Sequence, residues 1–466
     1  MKARKIFLLL FILAFGTSVE TAWHLRGHVR FDPLGWRVLG GRFYGPSFSF
    51  EESQTVPVPS GASVVVENSF GGVKLVKGGH GEARVSLRKV VFLPTEGEAR
   101  TVADRVKLRA VMDGATLRLS TNRGDLERNG SLGEAGLETH WEVAIPEDAT
   151  AKVSNEHGSI DVRDVAGADV DGSFEPITIE RIAGNAAVKG RHGDIHVSSV
   201  GGAVSLSGRH GDVVLTEVAG AANVDVEHGD VRAERTGRLS VGLKHGDLEV
   251  EGVRGDLEVR GEHSAAKVTD VSGNARVETS FDDVHVNRVT GDARVKTEHG
   301  SVEIRDVRGA VAVEAAFDGV TLRSIGGHAD VKVEHGGVDA QGLAGGAVVQ
   351  VSGDDVSIEG FRGGVRVQAR RGSIRLAPDD PVTEPVTATT DHGGIAFGVP
   401  PGSRFELSAA ARPGNVSVNL PGFVASESGA SKVAGHVGQG GGAVTLEAQH
   451  GDVTVETRAP SASKRD

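Results

Sequence analysis

The chain has 466 residues, a formal net charge of −12, no cysteine and only 4% aromatic residues, while its 66 glycines are about twice the usual share. That composition excludes disulfides and thiol chemistry, lipid attachment through a cysteine, and a basic face able to neutralise nucleic-acid phosphates. With so few aromatics, a thin core of Val, Ile, Leu and Ala with many glycine turns is expected rather than a conventional globular one.

Lys2, Arg4 and Lys5, followed by the apolar run from Ile6 to Gly16, read as an export signal over residues 1–22. The run is short for a bilayer span. An N-terminal membrane anchor, helped by Trp23 and Trp36, is the alternative if the signal is uncleaved. Residues 23–47 read as a linker. Residues 48–150 read as an N-terminal β cap with strand-like runs at 62–67, 72–76 and 83–87 and one short helix. The capping box Thr95-Glu96-Gly97-Glu98 opens that helix, and Ala99, Val102, Ala103 and Val106 follow at helical spacing. Residues 113–135, with Gly, Asn and Asp, read as a strand and a loose loop.

Residues 151–377 carry a repeat. An apolar-x-Gly corner recurs over twelve units from Val165-Gly167 to Phe361-Gly363, one of them shortened to Thr236-Gly237, with the glycines 17 or 18 residues apart. A second marker keeps the same period: His157, Phe174, His192, His210, His228, His245, His263, Phe281, His299, Phe317 and His335. Between the markers, apolar residues alternate as in a strand, for example Ala222, Val224 and Val226. Each unit is thus strand, corner, strand, corner, and it cannot bury its apolar face alone. Stacking copies at about 4.8 Å satisfies both the backbone and the core. The expected fold is all-β: a parallel β-solenoid of about 18 residues per coil, right-handed by the general crossover preference. An antiparallel meander is the competing architecture. Three prolines in 378–385 interrupt the rhythm before a C-terminal β region, 378–457, and a polar tail, 458–466.

The order of these elements resembles the bacterial "putative adhesin" family of toast-rack-like β-repeat domains (domain of unknown function 4097). The resemblance rests on Val143-Ala144-Ile145-Pro146, the turn His157-Gly158-Ser159-Ile160, the Gly-Asp-apolar-x-apolar units, and a C-terminal run. That run comprises Gly393-Gly394-Ile395-Ala396-Phe397, Val399-Pro400, Gly414-Asn415-Val416, Leu420-Pro421 and Gly451-Asp452-Val453. It spans roughly residues 50–457. One departure is that His stands before the turn glycine where such proteins commonly have Asn. The resemblance implies an exported β-solenoid with no established enzyme activity.

The histidine column is the most unusual chemical feature. His192, His210, His228, His245 and His263 would fall on five consecutive rungs, which suggests metal capture or a pH response. Adjacent imidazolium ions would repel by about 3.5 kcal/mol at an effective dielectric of 20. The competing reading is a stacked turn residue, and Phe174, Phe281 and Phe317 in the same column favour it, because Phe replaces stacking but not ligation. An aspartate column, Asp194, Asp212, Asp230 and Asp247, admits calcium or simple corner capping. Arg254-Gly255-Asp256 reads as a chance tripeptide. Asp282, Asp283, Asp354 and Asp355 are the acidic groups a polysaccharide-cleaving solenoid would need, but motifs of known catalytic classes are missing. The expected function is that of an exported, non-catalytic surface or envelope protein without a cofactor, an adhesin or interaction scaffold for an envelope or extracellular ligand, protein or glycan, and not for nucleic acid. A cation-binding solenoid and a polysaccharide-processing enzyme are the alternatives.

Overall fold

The computed structural model describes residues 37–39, 42–44, 46–133 and 135–458. The export signal, Trp23, Trp36 and the tail beyond 458 lie outside the described residues. The chain divides into two compact units: residues 51–88, 107–122 and 139–466 form one, and residues 1–50, 89–106 and 123–138 the other.

The larger unit is an all-β parallel solenoid of about 14 coils with about 18 residues per coil. Every coil gives one strand to each of two sheets. Val204–His210 pairs in parallel with Ala222–His228 in one sheet, and Val213–Val218 pairs with Val231–Thr236 in the other, each residue opposite its copy one coil on. Inward residues are small and aliphatic because the two sheets face each other closely. Val204, Leu206, Val213, Leu215, Ala222 and Val224 are all buried in one continuous core.

Simple alternation fails at one place in each coil. After Val213 and Leu215 the next inward residue is Val218, three places on, because Glu217 takes φ +58° and drops out of the ladder. The same left-handed residue recurs at Asp164, Arg181, Ser199, Arg235, Asp270, Arg288, Asp306 and Ser324. An isolated left-handed L-residue costs about 1–2 kcal/mol, and here the kink returns an apolar residue, Val218, to the core at 0% exposure. The corners after the His column need glycine for a different reason. Gly211 has φ +140°, and a Cβ there would stand 2.4 Å from the Gly193 carbonyl oxygen of the coil before.

Both ends of the stack are laid out of chain order. Ser63–Phe70 pairs with Thr150–His157 on one side and Thr116–Thr121 on the other. Val73–Lys77 likewise lies between Ile160–Val165 and Gly136–Ile145. At the other end Gly442–Ala448 lies between Val386–His392 and Phe405–Ala411, and Val453–Thr457 between Ile395–Val399 and Val416–Asn419. Antiparallel strands finish one sheet: Leu108–Asp113 lies on Thr116–Thr121, and Lys432–Val437 lies on Phe405–Ala411 with Phe423–Ser428 outside it. These end the parallel edge with strands of another direction.

The smaller unit contains the expected helix, Glu96–Arg105, with Thr95 as its N-cap accepting from the Glu98 N–H. A second helix, Arg123–Arg128, occupies part of the stretch read as a loop. Its Leu126 joins Leu132, Leu137, Ala99, Val102, Ala103 and Val91 in a separate core. Lys89 is 6% exposed and donates to the carbonyls of Ala103 (3.2 Å) and Val106 (2.5 Å), closing the end of the first helix. Arg37–Leu39 and Arg42–Tyr44, within the segment read as a linker, form an antiparallel ribbon.

Candidate functional site: side-chain ladders and an axial groove

The structure brings all five candidate histidines together. His192, His210, His228, His245 and His263 stack face to face with ring centroids 4.9–5.0 Å apart and planes within 13°. The column continues through Phe174, His157 and Phe70 on one side and Phe281, His299, Phe317 and His335 on the other, with centroids 4.4–5.2 Å apart. Phe70 was not expected, since it enters only through the interleaved first coil. Stacked aromatic pairs are worth about 0.5–1.5 kcal/mol each, and Phe and His alternate freely because stacking is what the position asks for.

Stacking works against shared ligation. An imidazole lone pair lies in the ring plane, so lone pairs of parallel rings run side by side. Two nitrogens on one zinc ion can be at most ~4.2 Å apart at ordinary Zn–N lengths, less than the 4.9 Å between His192 and His210 centroids. Among the described residues no group of three or more His, Asp or Glu side chains converges as an ion site requires.

The aspartate column has a structural task. The Asp212 N–H donates to Asp194 Oδ1 (3.1 Å), Asp230 N–H to Asp212 (3.0 Å) and Asp247 N–H to Asp230 (2.9 Å). Each carboxylate therefore caps the turn of the following coil. Asp283 and Asp355 extend the same column, accepting from the amides of Ser301 (2.8 Å) and Ser373 (2.6 Å). The Ser301 hydroxyl and amide together hold the Asp283 carboxyl below its ordinary pKa. Asp354 accepts from the Asp355 amide (2.8 Å) and Asp282 sits at a left-handed turn, so these four acids serve corners. The opposite corner repeats the device: Asn274 N–H donates to Asp256 (2.9 Å), Asp292 N–H to Asn274 (2.9 Å) and Ala310 N–H to Asp292 (2.8 Å). Asp256 of the Arg-Gly-Asp tripeptide is thus a turn cap, while Arg254 donates to the Val218 carbonyl (3.0 Å).

Charged side chains on the sheet faces pair between rungs. Lys152 meets Asp169 (2.9 Å), Arg209 meets Glu227 (3.0 Å), and Glu249 takes both Arg232 (2.7 Å) and Lys267 (2.8 Å). Glu249 is accordingly held below the usual carboxylate range, first by Lys267 and then by Arg232.

A concave feature runs along the coils. A groove of about 670 Å³ lies between the left-handed residues Asp270, Arg288, Asp306 and Ser324 and the corner residues Ser272, Thr290 and Arg308. Val271, Val289, Val307 and Ile325 lie beneath it with their side chains turned into the core, 1–2% exposed. Arg288 grips Asp270 with two hydrogen bonds of 2.5 and 2.8 Å. That guanidinium lowers the pKa of Asp270, and the carboxylate raises that of Arg288. The groove was missed in the sequence because the kink that makes it was read as plain alternation. The three-residue step from Leu215 to Val218, repeated in each coil, was its signal.

Residues 248–456 match the family described as Toastrack DUF4097. This segment resembles a toastrack domain. The groove and the ladder from His263 to His335 lie within the matched segment, while His192, His210, His228 and His245 precede it in the same register. Two solved structures are similar at 10% identity and a TM-score of 0.16 each. One is a "putative cell adhesion protein" from Clostridium sporogenes, covering 88% of this chain and 100% of its own. The other is a "putative adhesin" from Parabacteroides distasonis, covering 74% and 97%. No curated protein matches the chain.

Proposed function

We propose that the protein is an exported, non-catalytic solenoid of the cell envelope or surface that works as an interaction scaffold. The observation that carries this reading is the use of its repeated polar groups. The aspartates cap turns, the rings stack, and many facing charges pair rung to rung, which makes a rigid, regular face rather than a convergent catalytic cluster. Repeated weak contacts along such a face sum to avidity. The basic and apolar stretch from Lys2 to Gly16 supports export. Fractionation of cells producing C-terminally tagged protein tests this. The tag is expected in the envelope or medium fraction, and full retention in the cytoplasm would overturn the reading. Pull-down from envelope extract then identifies the partner.

A further inference from the structure

One end of the solenoid finishes in a strand with a single neighbour. Among the described residues, Leu108–Asp113 pairs with Thr116–Thr121 alone. Outside the ring column, the exposed large apolar side chains among the described residues are Val111, Met112 and Val424, and all three lie on the strands that finish the two ends. The far edge, Phe423–Ser428, is guarded: its register shifts between Ala425 and Glu427, and such a bulge turns an edge away from further pairing. Leu108–Asp113 has no such device. It keeps one register along its whole length and contains no proline. Leu108 and Ala110 pack on the core, and Met112 follows on the same face.

This edge is complementary to itself. The Asn122 N–H donates to the Lys107 carbonyl at 3.4 Å, and the Lys107 N–H donates to Asn122 Oδ1 at 2.7 Å. Odd-numbered residues therefore turn their backbone groups toward Thr116–Thr121, while Leu108, Ala110 and Met112 turn theirs outward. An antiparallel copy can pair only where outward residues meet outward residues, which places a twofold axis on a residue rather than between two. An axis on Arg109 sets that arginine against itself, and an axis on Ala110 or Met112 sets a charged residue against Val111. An axis on Val111 sets Ala110 opposite Met112 of the copy, which extends the apolar face. The same axis sets Arg109 opposite Asp113 of the copy, twice by symmetry, and Val111 opposite its own counterpart.

We propose that Leu108–Asp113 pairs antiparallel with the same strand of a second copy, about a twofold axis at Val111, joining two solenoids end to end. A pairing confined to one strand per copy is small, so reversible association at micromolar concentration is expected. Sedimentation velocity of the purified full chain should show the mass doubling as concentration rises. Arg109→Asp or Asp113→Arg alone puts like charges opposite each other at both positions and should weaken dimerisation about tenfold. An equimolar mixture of the two variants restores opposite charges and should restore the dimer, which a folding defect would not do. Because the chain has no cysteine, Val111→Cys carries a single thiol. Residues opposed in a non-hydrogen-bonded antiparallel pair lie about 4.5 Å apart at Cα, within disulfide reach. Air oxidation should therefore link Val111→Cys into a covalent dimer roughly tenfold faster than Val424→Cys; the two parent residues are equally exposed, at 57% and 55%. A monomer throughout the micromolar range, a dimer unmoved by either charge variant, no recovery on mixing, or Val111→Cys linking no faster than Val424→Cys overturns the proposal. These readouts use purified protein, so they stand apart from the export result.

Discussion

Thr236 offers a direct test of the core. It is 1% exposed and occupies the column otherwise filled by Val200, Val218, Val253 and Val271, directly between Val218 and Val253. Its hydroxyl has no hydrogen-bond partner. A buried hydroxyl without a partner costs about 1–3 kcal/mol. Thr236→Val keeps the branched shape, removes that cost and adds a buried methyl, so it should stabilise the surrounding coils by about 1–3 kcal/mol. Long repeat arrays need not unfold in one step, so native-state hydrogen exchange by mass spectrometry is a better assay than a single melt. Amides of Val213–Val218, Val231–Thr236 and Leu248–Val253 should exchange about 5- to 150-fold more slowly, the same free energy expressed as a rate. Thr297→Val is the contrast. The Thr297 hydroxyl donates to the His299 carbonyl at 2.7 Å, and its loss should speed exchange locally. Unchanged or faster exchange in Thr236→Val would refute the reasoning, because it would mean that the hydroxyl is satisfied.

Other outcomes are expected from the ladders. His228→Phe should leave stability within about 0.5 kcal/mol of the parent, while His228→Ala, breaking two stacks, should lose about 1–3 kcal/mol; urea midpoints distinguish the two. Asp212→Ala should cost about 0.5–1.5 kcal/mol by uncapping the Asp230 amide, and Asp212→Asn, which keeps the acceptor, should be close to neutral. The Asp270 carboxyl titrates below its ordinary value of 3.8 because Arg288 holds it. Its contribution to stability is therefore complete above about pH 4 and is lost as pH falls through the lower folded value. Arg288→Met should flatten that part of the acid limb, and an acid limb of unchanged slope would contradict the pairing; exposure of both groups keeps the effect small.

How much of this was legible depended on whether a feature repeats. The coil, its two strands and the His and Asp columns follow from a period held from Val165 to Phe361, because only stacking copies in register can bury such small apolar faces. Phe70 was not legible in the column: it reaches His157 across 87 residues of chain through a coil placed out of order, and nothing near it in sequence signals that step. The helix at Glu96–Arg105 announced itself by its cap, whereas Arg123–Arg128 has no such box and is held by Leu126 and a buried Arg123 that donates to the Leu137 carbonyl at 2.6 Å. The left-handed kink was written in the spacing of Leu215 and Val218, yet polar residues of every kind fill it, so residue identity alone gave no hint.

The interleaved ends bear on how the molecule is made. A chain delivered from its N-terminus cannot give Ser63–Phe70 both of its neighbours until Thr150–His157 has emerged, so the first coil must wait for later ones. At the far end Gly442–Ala448 arrives after both strands that flank it and must slot between them. A chain stopped before residue 442 would then carry an unfilled layer between two finished ones, and its ladder would end in a gap rather than in a shorter copy of itself.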